Sequence, residues 1–290
     1  MIKLFGLEAL DVNGLAGFFG SPNIGDPNGS IAILAGTFVI ILCRVSAVII
    51  AAPALGETTI PTRIRAGIAL AVTIALLPVI QDRLTAVSGE ALRMPAMALL
   101  IVGEELLCGF FIGTLARLIA LSLTISAQII SVFTGMTSII QPDPQLGASS
   151  TAISHMANSL IPVILMTTGL YALPLHAISG SYSLFPAGHI TSLLMGDMTV
   201  SVIRTASETM QISMQLAAPF ILIGALWPAM LGVLNRLMPS IQVYSTVIPA
   251  QIIGGILLLA MLIQVISGTW TERVQGILSN LPGIGFPPHP

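Results

Sequence analysis

Five charged side chains lie inside otherwise apolar stretches of this chain: Arg44, Glu104, Glu105, Arg117 and Arg236. A charge on an apolar helix either lines a water-filled path for protons or ions, or pairs with an opposite charge and fixes how helices dock. None of the five has an opposite charge three or four residues away, so each needs a partner from another helix or another chain. A proton relay would repeat acids or histidines at helical spacing, and only the adjacent pair Glu104-Glu105 occurs here. Structural pairing is therefore the stronger reading. His155, His176 and His189 are too widely spaced for a local metal motif, and no metal site is expected. Cys43 and Cys108 sit in apolar stretches and read as small core hydrophobes rather than a disulfide framework. No HExxH, GxSxG, P-loop or Cys-x-x-Cys occurs, so no catalytic residue, no cofactor and no enzymatic activity are expected.

The elements that carry these residues belong to a membrane protein. Of 290 residues, 55% are hydrophobic and 8% charged, against about 25% charged in soluble domains. The stretches 144–196, 209–235 and 237–271 contain no Asp, Glu, Lys or Arg. Each is long enough for a bilayer-crossing helix, which needs roughly 20 apolar residues. A formal net charge of −2 argues against a nucleic-acid partner.

Along the chain, a polar segment 21–30 precedes a first span over 31–52, ended by Pro53. Pro61, Arg63 and Arg65 introduce a second apolar run over 66–80, which Asp82-Arg83 closes before a hydrophilic link to Pro95. Residues 96–140 read as one very long helix or two stacked ones, stopped at Gln141-Pro142-Asp143-Pro144. Gly109 and Gly113 there form a GxxxG, a weak signal for close helix approach. A polar loop over 145–151, an apolar run over 152–179, a break over 180–188 and a short polar-flanked piece over 192–201 follow. Long apolar runs then cover 203–234 and 247–270, and a proline-rich tail from Pro282 reads as disordered. The fold class is all-α: a multi-pass, membrane-associated protein of about six long helices. Pro162, Pro174, Pro219, Pro228 and Pro249 kink them, and freed carbonyls in lipid need protein or water cover. Thirteen methionines include Met136, just before the proline-rich break; flexible thioethers can seal an irregular gap.

Two stretches carry a recognisable pattern. The first is Arg44-Val-Ser-Ala-Val-Ile-Ile-Ala-Ala-Pro53-Ala-Leu-Gly-Glu57, followed by Ile60-Pro61-Thr-Arg63-Ile-Arg65. The second is Gly232-Val-Leu-Asn235-Arg236-Leu-Met-Pro239-Ser-Ile-Gln242-Val, followed by Ile248-Pro249. With Gly135-Met136 and Asp143-Pro144 between them, this order resembles the FliR family of flagellar export-gate proteins, counterparts of the T component of injectisomes.

The resemblance implies a P-subunit-like helical part over 1–200, a Q-subunit-like helical hairpin over 201–276 and a tail over 277–290. It implies a place in the gate with P and Q subunits, an FlhB-type switch protein, unfolded export substrates and the lipid bilayer. The location would be the inner (cytoplasmic) membrane of a bacterium, at the flagellar basal body. On the same basis Met136, Gln141, Pro142, Asp143, Pro144 and Gln145 would line or plug a pore. Arg44, Glu57, Pro61, Arg63, Arg65, Glu104, Glu105, Arg117, Asn235, Arg236 and Pro239 would set helix and subunit contacts. Helices of this family are largely buried against other subunits, so hydropathy overstates the crossings. The rival reading is a small-solute or ion transporter in which Arg44, Glu104 and Arg117 bind the cargo.

Overall fold

The computed structural model describes residues 27–57, 60–136, 140–142, 149–188, 192–237 and 243–284. Seven helices occur among them: α1 (Pro27–Ala51), α2 (Thr62–Arg93), α3 (Pro95–Phe133), α4 (Ala152–Thr168), α5 (Ala172–Leu184), α6 (Ser192–Leu237) and α7 (Val243–Leu278). The all-helical class holds, with one addition. Residues expected as a helix end, a proline-rich stop and a loop form a two-stranded antiparallel ribbon, β1 (Ile140–Pro142) against β2 (Ser149–Thr151), with Gln141 opposite Ser150. Pro142 has no N–H to donate, which confines it to such an edge. Among the described residues five helices are long and apolar enough to cross a membrane, or six spans if α4 and α5, bent by 70° at their break, count as one.

Backbone chemistry sets the breaks. Met94 alone separates α2 from α3; it is extended (φ −129°, ψ 102°), as the residue before a proline tends to be. The turn after α1 holds Ala54 at φ 67°, a left-handed conformation uncommon for a residue with a Cβ. Burial of Pro53, Ala54 and Leu55 holds it there. Gly56 closes the turn, because a Cβ on it would strike the carbonyls of Ile50 and Ala52. Helix α4 starts on Thr151, whose side chain accepts from Ser154 N at 3.4 Å, and ends on Gly169 at φ 76°.

Several expected boundaries move. Asp82-Arg83 does not close α2, because both side chains are exposed while Leu77, Ile80, Leu84 and Ser88 continue its buried face. Helix α3 is one element and stops at Phe133 rather than near 140, because Gly135 at φ 77° turns the chain. The run 152–179 breaks at Gly169, not at Pro162 or Pro174. The piece from Ser192 joins the following run into one 46-residue helix. Helix α7 continues past Trp270 because Val274 and Leu278 extend its buried face while Glu272 and Arg273 stay outside. At the start of the expected disordered tail, Gly283 packs against Gly180, while 285–290 lie outside the described residues.

The chain forms two compact units that interleave in sequence. The first comprises Met1–Thr114, Tyr171–Met198 and Ser279–Pro290; the second comprises Leu115–Leu170 and Thr199–Leu278. Helix α3 thus gives its first half to one unit and its second half to the other. Ile41, Val45 and Val48 of α1, Ile80 and Leu84 of α2, Ile112 of α3 and Ile178 of α5 fill the first core. Ile119 and Ile130 of α3, Ile161 and Leu165 of α4, Phe220 of α6 and Trp270 of α7 fill the second.

Candidate functional site

In the first unit, α1 and α3 lie side by side in parallel. A Cβ on Gly109 would strike the Arg44 carbonyl and come within 2.8 Å of Ala47 Cβ; one on Gly113 would come within 2.9 Å of the Val48 carbonyl. Residues 44 and 48 face 109 and 113 in constant register, so the GxxxG does bring these backbones together. That approach sets Arg44 opposite Glu105. Arg44 Nε donates to Glu105 Oε2 at 2.7 Å and Nη2 to Oε1 at 2.8 Å, a two-pronged pair with both side chains shielded from solvent. Nη1 also donates to Ser181 Oγ at 3.0 Å and Nη2 to the Phe185 carbonyl at 2.9 Å. The guanidinium lies 3.7 Å from the centre of the Tyr182 ring, and Tyr182 Oη donates to Glu105 Oε2 at 3.1 Å. Phe111 meets Phe185 edge-on at 6.0 Å, closing the cluster on one side.

The second unit uses neutral groups instead. Thr209 Oγ1 donates to the Leu118 carbonyl at 3.2 Å and Ser213 Oγ to the Ser122 carbonyl at 3.0 Å, each pair 91 residues apart. Gly224 meets Phe133 at the same offset, so α3 and α6 run parallel in one register over this length. From α7, Trp270 Nε1 donates to Ser122 Oγ at 2.9 Å, and Gln251 Nε2 donates to the carbonyl of Phe133 at 3.2 Å. The last turn of α3 is thereby capped by a side chain of another helix, one turn before Met136. Thr151, at the end of β2, shares a 2.7 Å hydrogen bond with Ser131 and donates to Gln128 Oε1 at 3.2 Å. Both ends of the segment between α3 and α4 are therefore anchored in this unit.

Of the residues singled out by sequence, the structure joins Arg44 with Glu105. Glu104 is half-buried, and its Oε2 is enclosed without a hydrogen-bond partner among the described residues. Arg117 is half-buried in the second unit. Glu57 is half-buried and Pro61 and Arg63 are exposed, while Arg65 holds the Ile60 carbonyl at 3.0 and 3.2 Å. Arg236 is exposed in the last turn of α6, where a cation suits the helix dipole. Met136 is half-buried, and the backbones of Gln141 and Pro142 lie in β1. Asp143, Pro144, Gln145, Pro239 and the side chain of Asn235 lie outside the described residues. Sequence reasoning did not single out Ser181 and Tyr182, which fall at a break it expected over 180–188, nor the hydroxyl ladder. Thr209 and Ser213, four apart within an apolar run, were the available signal for that ladder.

These features define a multi-pass helical membrane protein in which buried polar groups tie helix to helix. Over residues 35–277 the sequence matches the family described as bacterial export proteins, family 1, and the chain belongs to that family. It is similar to the flagellar biosynthetic protein FliR of Caulobacter vibrioides, with 29% identity over 239 residues, 82% of this chain and 93% of that one. It is also similar to the proteins of the same name from Escherichia coli, at 22% identity over 83% of this chain and 88% of that one, and from Bacillus subtilis, at 22% over 82% and 90%.

Proposed function

We propose that this chain is a structural subunit of the flagellar type III protein-export gate, forming part of the channel for unfolded substrates. The observation that carries this reading is the family match over 35–277, with relatives named flagellar biosynthetic protein FliR covered along most of their length. The architecture agrees with it. Leu226, Met230 and Val233 on α6, with Ile253, Leu257 and Met261 on α7, are exposed, an apolar surface suited to lipid or to other subunits. A small-solute transporter is not favoured. Arg44, which would hold its cargo, is enclosed and already hydrogen-bonded to Glu105, Ser181 and the Phe185 carbonyl.

In this reading residues 1–200 act as a P-like part and 201–276 as a Q-like hairpin. The P and Q subunits, an FlhB-type switch protein and the inner (cytoplasmic) membrane surround them, and the chain contributes no catalysis. Met136 and the segment from Gln141 to Gln145 line or plug the passage. Their support is the position of Met136 directly after the capped end of α3. Co-expression with the P and Q components, followed by native mass spectrometry in detergent, should return this chain in a complex containing both. A stable, solitary protein that ignores both partners would overturn the assignment. Within the assembled gate, Met136→Asp should raise ion leakage. Unchanged conductance with assembly intact would remove Met136 from the passage.

A further inference from the structure

We propose that the face of α3 around Gly103 receives an apolar helix of a neighbouring, different subunit, and that an arginine or lysine on that helix pairs with Glu104. The inference rests on reading the chain as a subunit of a multi-subunit export gate. Two independent observations lead to it.

The first is a carboxylate without a counterpart. Glu104 and Glu105 are consecutive, yet Glu105 takes two donors from Arg44 and one from Tyr182, whereas Glu104 Oε2 is enclosed with no hydrogen-bond partner among the described residues. Arg44 directs its hydrogen bonds to Glu105, Ser181 and the Phe185 carbonyl, and none of them reaches Glu104. A carboxylate on an apolar span needs a donor, and a cation satisfies both its charge and its lone pairs.

The second is a glycine without a reason inside the chain. Gly109 and Gly113 are where α1 lies too close for a Cβ, whereas a Cβ added to Gly103 meets nothing within 4 Å. Glycine inside a helix weakens it relative to alanine, and the contacts within this chain give no compensation at 103. Leu99, Leu106 and Phe110 share the helical face of Gly103 and are exposed, with Leu100 and Leu107 exposed beside Glu104. A small residue in an apolar stripe lets a second helix approach closely. Charge then fixes the partner's chemistry: apolar along the stripe, with one cation level with Glu104. A symmetric contact with a second copy would instead bring two Glu104-bearing faces together and oppose like charges.

The test uses the full chain expressed with the other gate components, carrying the photo-reactive residue p-benzoylphenylalanine at position 103, where there is open space. The expected product is a cross-link to an apolar helix of a different subunit, with a lysine or arginine within about one turn of the captured site. Glu104→Lys should reduce recovery of this chain in the complex about tenfold, and an acidic residue at the partner's cation should restore it. The same variant, purified alone in detergent, should elute as wild type does, which separates a docking defect from misfolding. Cross-links to lipid or to a second copy only would overturn the proposal, as would wild-type assembly of both Glu104→Lys and Gly103→Leu. Failure of the unaltered chain to co-purify with any gate component would instead overturn the functional reading beneath it.

Discussion

The two units solve the same problem with different chemistry. In the first, a fully enclosed arginine and glutamate are knitted to Tyr182, Ser181 and a carbonyl. In the second, Thr209, Ser213 and Thr151 tie helices together through hydroxyls that carry no charge. A charged cluster tolerates only one arrangement, because a displaced member leaves an ion stranded in a medium that cannot solvate it. Serine and threonine in a membrane helix can fall back on their own backbone: Thr209 also reaches the Thr205 carbonyl at 2.7 Å and Ser213 that of Thr209 at 2.7 Å. The difference teaches that the first unit is built for a single geometry, whereas the second can lose contacts singly.

That contrast can be broken at its strongest point. Arg44→Leu should destabilise the protein by about 3–5 kcal/mol by stranding Glu105, read as a drop in melting temperature by fluorescence-detected size exclusion. The double change Arg44→Leu with Glu105→Leu should recover most of that loss. If the double variant is as unstable as the single one, packing rather than charge holds the cluster. Thr151→Ala should cost about 1 kcal/mol through the lost helix cap, with hydrogen exchange rising first at the start of α4. Protection unchanged there would mean that the other hydroxyls take over the cap. The smallest effect should come from Ser213→Ala, at about 0.6 kcal/mol, the usual worth of a hydroxyl bond between membrane helices. A loss as large as that of Arg44→Leu would erase the distinction between the units.

Much of the fold was legible because hydropathy alone marks spans, and the need of Arg44 for a partner on another helix or another chain followed from the absence of nearby opposite charge. Where helices end was less legible. Asp82-Arg83 looked like a terminus, but a charge ends a helix only if it falls on the face that must be buried, and Leu84 and Ser88 carry that face onward. Conversely, the break at Gly169 was obscured by the nearby prolines: Pro162 is accommodated inside α4, and Pro174 sits in the first turn of α5, where no N–H is needed. Ser181 and Tyr182 were missed for a related reason. A Gly/Ser-rich stretch suggests a loop, but α5 runs through it to Leu184 and turns those two side chains onto Arg44. The neutral ladder left no charge to notice, and its 91-residue offset exists only once α3 and α6 are packed.

The short turn after α7 bears on the order in which the protein can be completed. Gly283 lies against Ala177 and Gly180 of α5, and Leu281 is buried, so the first unit includes residues made only after the whole of α7. A ribosome adding about 5–20 residues per second needs roughly 5–15 s to travel from the end of that unit's middle segment to this turn. During that interval α1, α2, α5 and the first half of α3 wait with one wall missing. The unit that contains α1 and α2 therefore closes only after α6 and α7 of the second unit have been made.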